Sequence, residues 1–372
     1  MRVLVTGSQG FIGKNLVVRL CELPGYEVVP FERGDGLAAL AGKVAQADAV
    51  VHLAGKNRPK NEADFKKGNA ALTRALCDAI QATGRKIPLI LASSLQAELS
   101  NPYGLSKLVA EKAVEELAAK TGNPAVIYRL PGVFGKWCKP NYNSVVATFC
   151  YNTAFKLPLQ INDPAARLRL VYVDDVVSEF LLALGLVGDG VRWGEVAPEY
   201  TITLGELAAQ IEAFRMSRTT LVSERVGEGF LRALYATYVS YLPPSSFAYD
   251  LPRHGDERGV FVEMLKTRDS GQFSYFTAHP GVTRGGHYHH SKTEKFLVIK
   301  GMARFCFRHV LTNETCQLLT SGELPQVVET VPGWAHDITN IGEDEMMVLL
   351  WANAKHVGQR SFDALLIGDF NA

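Results

Sequence analysis

The stretch Val3-Leu4-Val5-Thr6-Gly7-Ser8-Gln9-Gly10-Phe11-Ile12-Gly13 decides the fold of the first part of the chain. A short apolar run is followed by three glycines spaced three apart, and then by the helical pattern Lys14-Asn15-Leu16-Val17-Val18-Arg19-Leu20. Strand, glycine turn and helix in that order form the phosphate-holding start of a βαβ unit. Gly7 suits the tight turn, Gly10 lets backbone amides approach a pyrophosphate, and Gly13 lets the helix pack against the strand. Free N–H groups and the positive end of the helix dipole then face the phosphates. Gly7, Gln9, Gly10, Phe11, Ile12 and Gly13 are therefore the expected cofactor contacts. A glycine-rich turn without a ligand would carry the same letters, so the surrounding pattern has to support the reading.

Outward from that stretch, strands expected at 3–5, 27–31, 49–53, 89–92 and 125–128 alternate with helices at 10–21, 37–46, 69–82 and 103–120. The alternation predicts an α/β Rossmann-type fold, a doubly wound parallel sheet covered on both faces. Helices at 145–155, 174–186 and 204–214 could roof a substrate cleft. The character changes near Pro243-Pro244. Beyond it, short runs at 261–265, 273–278, 295–299, 303–307, 315–319 and 346–351 are separated by turn signals such as Pro280-Gly281, Gly285-Gly286 and Pro332-Gly333. Such spacing predicts a sandwich or barrel. Eight of the nine histidines also lie after residue 250. The expected domains are 1–243 and 244–372.

Bulk properties agree with this division. A chain of 372 residues suits two domains, and 47% apolar with 21% charged residues is ordinary for globular proteins. A formal net charge of +1 offers no electrostatic case for nucleic acid or an anionic membrane as partner. Six cysteines without a C-x-x-C pair read as reduced thiols. The sequence enters a strand at once, and the apolar run 180–187 is too short to span a bilayer. A cytoplasmic protein is expected.

Two constellations carry chemistry. Tyr103 and Lys107 are four apart on a helix and share one face, with Asn101 as its cap and Thr121-Gly122 as its stop. An ammonium beside the phenol is expected to pull its pKa below ~10 and make it a usable acid. Ser94 at the preceding strand end can hydrogen-bond a substrate carbonyl, with Ser93 as its rival. At the second strand's end, Glu32 favours the ribose diol of NAD, whereas Arg33 accommodates the 2′-phosphate of NADP. Arg33 with Lys56 and Arg58 tips the expectation to NADP(H). Arg129 and Asn141, the latter in the basic loop 136–143, follow the sheet's C-terminal edge and are candidates to hold a substrate pyrophosphate alongside Ser94. In the second half, His287 and His289 are two apart on a strand and point to one face. Together with Glu294 and His336 they make a good divalent-metal site. His290 should point away, although a bulge could exchange it with His289.

The order G-x-x-G-x-x-G, Asp48–Gly55, Asn69, Ser93-Ser94, Tyr-x-x-x-Lys, Tyr128–Gly132 and Tyr172-Val173-Asp174-Asp175 resembles the extended short-chain dehydrogenase/reductase superfamily. Gly281-(x5)-His287-x-His289-(x4)-Glu294-(x6)-Gly301 and Pro332-Gly333-(x2)-His336-(x3)-Asn340 resemble the two cupin motifs. In the second, Pro and Gly are adjacent where that family often has one residue between. The first resemblance implies that Ser94, Tyr103 and Lys107 are catalytic and that Leu53, Ala54, Gly55 and Leu130 join the cofactor site. The second implies an all-β cupin barrel with zinc. The fusion of the two, with segments 134–144 and 286–295, closely resembles bifunctional capsular-polysaccharide enzymes. It implies a UDP-linked 4-keto-6-deoxy amino sugar as substrate, epimerised at C3 by the cupin and reduced at C4 with NADPH. The implied product is UDP-2-acetamido-2,6-dideoxy-L-talose, a precursor of UDP-N-acetyl-L-fucosamine for capsule or O-antigen, made by a homodimer. The alternative is a single-activity reductase with a structural, dimerising cupin. Tyr275, His290, Lys292 and His309 remain open as the epimerisation base.

Overall fold

Val3, Leu4 and Val5 are each 0% exposed, because their strand is covered on both faces. The structure, a computed structural model, describes residues 1–55, 66–185, 188–252, 254–256, 259–261, 265–267, 272–353 and 365–366. Lys56, Arg58 and part of the strand expected at 261–265 lie outside the described residues. The first elements are β1 (Arg2–Thr6), α1 (Phe11–Glu22), β2 (Glu27–Phe31), α2 (Ala38–Gln46), β3 (Ala49–His52), α3 (Leu72–Ala82), β4 (Leu89–Ser94) and α4 (Pro102–Thr121). There follow β5 (Ala125–Leu130), β6 (Gly132–Phe134), α5 (Val145–Ala154), β7 (Arg167–Tyr172), α6 (Val173–Leu184), β8 (Val191–Gly194), β9 (Glu199–Thr203), α7 (Leu204–Thr220) and α8 (Gly229–Val239).

The main sheet has the order β2-β1-β3-β4-β5-β8, and its paired strands are parallel. Val3 and Val5 point to one face, where Leu16, Leu20 and Phe180 from α1 and α6 cover them. Leu4 and Val50 point to the other, under Leu76, Ile80 and Leu117 from α3 and α4. The chain leaves β1 to one side for β2 and crosses to the other for β3. That reversal places a crevice at the C-terminal ends of these strands, where ligands of open α/β sheets bind.

Helix α4 is delimited as its sequence requires. Asn101 Oδ1 accepts from the Gly104 amide at 2.8 Å, Pro102 opens the first turn, and Gly122 ends the helix at φ 66°. A Cβ on Gly104 would lie 2.0 Å from the Gln96 carbonyl oxygen, so only glycine lets α4 settle onto the turn that follows β4.

The C-terminal strands are β10 (Ala248–Asp250), β11 (Gln272–Ala278), β12 (Thr283–Tyr288), β13 (Glu294–Lys300), β14 (Met302–His309), β15 (Thr315–Ser321), β16 (Gln326–Glu329), β17 (Trp334–Asn340), β18 (Met346–Ala352) and β19 (Leu365–Leu366). They form two antiparallel five-stranded sheets, β10-β16-β13-β18-β11 and β15-β14-β17-β12-β19, as in a cupin-like barrel. Phe296 lies 5.6 Å from Phe305 between ring centroids and 6.2 Å from the His336 ring, so the interior is aromatic around an imidazole.

By compactness the chain divides into Met1–Ser144 with Leu168–Thr201, and Val145–Arg167 with Ile202–Ala372. This differs from the single break expected near residue 243. Glu329, at the end of β16, is 0% exposed. Its carboxylate receives Lys295 Nζ at 2.7 Å and the Tyr235 hydroxyl at 2.6 Å, and is paired with Arg218. Arg218 belongs to α7 and Tyr235 to α8, so both helices are bound to the barrel by one buried anion. Helix α8 was not expected from the sequence. Ala233, Leu234, Tyr235, Ala236, Thr237, Tyr238 and Val239 are all buried, which leaves no amphipathic stripe to recognise. Among the described residues no helix is long and apolar enough to cross a membrane.

Burial alone would raise the Glu329 carboxyl, but Lys295 and Arg218 outweigh it and hold it at about 2. Glu329→Gln leaves two buried cations without their counter-charge and is expected to cost about 3–5 kcal/mol in urea titrations of the full chain. Since the folded value lies below an unfolded value of about 4.3, the native carboxylate's contribution is complete above about pH 5. It is lost as the pH falls toward about 2, which the same titrations at several pH values will read.

Candidate active site and metal centre

The glycine loop is held tightly from below. Gly7 has φ 71°, its amide donates to Phe31 O at 2.9 Å, and a Cβ there would sit 2.9 Å from Ala54 Cα. A Cβ on Gly13 would lie 2.2 Å from the Gly7 carbonyl oxygen, so α1 can pack there only with glycine. Gly10 is the helix N-cap without a side-chain cap, and Phe11 and Ile12 open the first turn. The amides of Leu53 and Ala54 both donate to Thr6 Oγ1 at 3.1 Å, which joins the ends of β1 and β3. The sequence reading passed over this threonine. Glu32 accepts from the Gln9 amide at 2.9 Å and from the Ser8 hydroxyl, so its carboxylate is turned onto the loop. Arg33 beside it is exposed.

Ser94, Tyr103, Lys107, Gly55 and Leu130 converge at the C-terminal edge of β3, β4 and β5. Leu130 is buried opposite Ser94 in the β4–β5 register. The Ser94 hydroxyl is hydrogen-bonded to Tyr103, whereas Ser93 turns inward and donates to Glu111 at 2.5 Å. Lys107 Nζ donates to the Ala92 carbonyl at 2.9 Å and lies 6.0 Å from the Tyr103 ring centroid. A Cβ on Gly55 would be 3.0 Å from Asn69 Oδ1 and 3.6 Å from Lys107 Nζ. His52, wedged between Thr6 and Thr73 hydroxyls, is pushed down to about 3 by burial and by Lys107, and stays neutral.

One expectation is corrected. Tyr103 was expected to have a lowered pKa, yet burial raises it, and the hydrogen bond with Ser94 offsets only part of this. The lysine is itself buried: desolvation pulls it down to about 8, against the opposing charge of Glu111. The phenol therefore keeps its proton at neutral pH and can give it to an oxygen that becomes basic.

The expected substrate contacts have partners within the protein. Arg129 donates to Glu111 through Nε and Nη2 at 3.0 and 2.7 Å, reaches Glu98 at 3.0 Å, and stacks on Trp193 at 4.6 Å. Lys136 is 1% exposed and paired with Asp174 at 2.6 Å. Both take part in ion pairs within the protein. Asn141 is exposed, with φ 53°.

The four expected metal ligands come together. The donor atoms of His287, His289, Glu294 and His336 all lie within 4.8 Å of one another. β12 ends at Tyr288, one residue short of His289, but the alternation persists: the His287 and His289 rings are 5.0 Å apart, while His290 lies 5.4 Å from Tyr288. His336 pairs with His287 across β17 and β12. Neither ring nitrogen of the buried His336 meets hydrogen-bond geometry with another group, and Glu294 Oε2 is 3.1 Å from His289 Nε2 and 3.5 Å from His336 Nε2. Burial and then the neighbouring imidazoles push His287 down to about 4, and burial lowers His336. Burial would raise Glu294, but its histidine partners hold it well below the usual carboxylate range. Three imidazoles, two of them lowered by burial, around a carboxylate held ionised form a donor set that fits a divalent ion. Of the four proposed bases, Lys292 touches this set, at 2.6 Å from Glu294 Oε1. Tyr275 is largely exposed, and His309 accepts the Leu311 and Thr312 amides.

Comparison with known proteins follows the same two parts. Residues 3–192 match the NAD dependent epimerase/dehydratase family and 254–363 the polysaccharide biosynthesis C-terminal domain. The chain is 57% identical over 354 residues, 95% of each sequence, to UDP-2-acetamido-2,6-beta-L-arabino-hexul-4-ose reductase of Pseudomonas aeruginosa. Among solved structures, the capsular polysaccharide assembling protein CapF of Staphylococcus aureus is similar at TM-score 0.67 and 38% identity over 99% of each chain. The UDP-glucuronic acid 4-epimerase of Bacillus cereus, in complex with NAD, covers 57% of this chain and 83% of its own at TM-score 0.52 and 20% identity, a likeness of fold alone.

Zinc added to the chelator-treated full chain is expected to stabilise it by about 2.7 kcal/mol at a free concentration 100 times the Kd. Thermal melts should show this gain lost in His336→Ala and kept in His290→Ala.

Proposed function

The chain belongs to the NAD dependent epimerase/dehydratase family, and from that premise we propose that it reduces the C4 ketone of a UDP-linked 2-acetamido-2,6-dideoxy-4-ketohexose with NADPH, after C3 epimerisation of the same sugar in the barrel. The hydrogen-bonded Ser94–Tyr103 pair above a buried Lys107, in a chain 57% identical along 95% of its length to a reductase of such a sugar, carries the reading. The nicotinamide cofactor supplies the hydride. Ser94 holds the ketone oxygen, Tyr103 gives it a proton, and Lys107 orients the nicotinamide ribose and contributes a positive charge. The exposed Arg33 favours NADPH, while Glu32 is occupied by the Gln9 amide and Ser8.

In the barrel, His287, His289, Glu294 and His336 are the residues to hold a divalent ion, with zinc the choice of this reading. Such an ion supplies Lewis acidity at a ketone oxygen, which makes the neighbouring C3 proton acidic. The reduced product is UDP-2-acetamido-2,6-dideoxy-L-talose, made in the cytoplasm by a homodimer. A second reading is favoured by the relative's name, which mentions reduction alone. In it the barrel is structural and the substrate arrives already epimerised.

Tyr103→Phe is expected to lower ketone-dependent NADPH oxidation by about 10²- to 10⁴-fold. Turnover in deuterated water, read by NMR, should place deuterium at C3 in the native chain and not in His336→Ala. Product without label from the native chain leaves the second reading.

A further inference from the structure

Glu111 lies one turn beyond Lys107 and two beyond Tyr103 on α4, so the three side chains share a face. Its side chain is 1% exposed, yet carries a carboxylate. Ser93 Oγ donates to it at 2.5 Å, and Arg129 donates through Nε at 3.0 Å and Nη2 at 2.7 Å. Ser93 and Arg129 face each other across β4 and β5, and the next rung is Ser94 with Leu130. The carboxylate thus grips two adjacent strand ends one residue before the positions that meet cofactor and substrate. Packing alone would be met by an apolar side chain at lower desolvation cost.

We propose that Glu111 is the positioning residue of the reductase site: through Ser93 and Arg129 it fixes the ends of β4 and β5 against the face of α4 that carries Tyr103 and Lys107, and so sets the hydrogen bond between Ser94 and Tyr103. This deepens the reductase reading and rests on it. Charge enters as well. Lys107 is faced by Tyr103 and Glu111 from its own helix, the neutral His52 from β3 and the Ala92 carbonyl from β4. Arg129 of β5 lies behind Glu111. Glu111 is the anion in that set, and it opposes the burial that pulls Lys107 down to about 8.

The test uses the full-length chain, NADPH and a UDP-4-keto-6-deoxy-N-acetylhexosamine, with kcat, KM and the NADPH Kd measured separately across pH. Glu111→Gln keeps the shape and removes the charge. It is expected to lower kcat about 10- to 100-fold, as misplaced catalytic groups do, with the NADPH Kd within about twofold because the glycine loop is untouched. The alkaline limb of kcat should also move to lower pH, since Lys107 loses its proton earlier. Ser93→Ala removes one anchor and leaves the charge; a smaller fall in kcat with an unmoved alkaline limb is expected. Native kcat and an unmoved limb in Glu111→Gln overturn the proposal, and so does a loss shared equally by kcat and NADPH binding. If Glu111→Gln does not fold, Ser93→Ala and Arg129→Met decide, and native kcat in both overturns it. Full activity of Tyr103→Phe instead sinks the reductase reading itself, a separate outcome.

Discussion

A lysine ammonium held in the interior is the constraint on which the packing at the first unit's sheet edge depends. Lys107 is 8% exposed and donates to the Ala92 carbonyl at 2.9 Å, so the cation is fixed at the C-terminal edge of the sheet. Burial of that kind is expensive unless the surroundings answer it. Here the answer comes from a strand carbonyl and from Glu111 along the same helix face. The close seat of α4 on the turn after β4, possible because Gly104 has no side chain, brings the cation and the Tyr103 phenol to Ser94. The meeting of these three groups and the packing of the helix are one requirement at this point.

The same logic of buried charge recurs in the second unit with different purposes. Around Glu329, a carboxylate with Lys295, Arg218 and Tyr235 fastens α7 and α8 to the barrel wall. Around Glu294, a carboxylate sits among imidazoles whose nitrogens are not all satisfied within the protein. The first cluster is closed by its own cations and reads as structure. The second brings the donor atoms of three imidazoles and a carboxylate within 4.8 Å of one another, with Lys292 against the carboxylate's other oxygen. The two carboxylates belong to adjacent strands, with Lys295 of the first cluster directly following Glu294 of the second. Strand alternation sends the two neighbours to opposite faces.

Electrostatics also show why the Tyr103 phenol needs to be judged in its surroundings. Residue spacing places Lys107 near Tyr103 and suggests an acidified phenol. The structure has both groups desolvated, and burial is the largest influence on each. The phenol stays protonated, and the lysine beside it is brought down to about 8.

Local patterns in the sequence determined a good deal. Glycines with clashing hypothetical side chains, the capped helix from Pro102, and the period-two alternation of His287 and His289 are all short-range features, because turns, caps and strands are set by neighbours in the chain. The sheet, the shared face of Tyr103 and Lys107 and that of His287 and His289 were legible for that reason, whereas Ser94, Glu294 and His336 were added from the motifs of the resembled families. The tertiary structure alone decided what depends on distant partners. It committed Arg129 to Glu111, Lys136 to Asp174, and α7 and α8 to Glu329. It revealed α8, whose buried surface all round leaves no periodic mark, and it set the sign of the Tyr103 shift. Ion pairing and desolvation are sums over everything nearby in space, and sequence order does not record that neighbourhood.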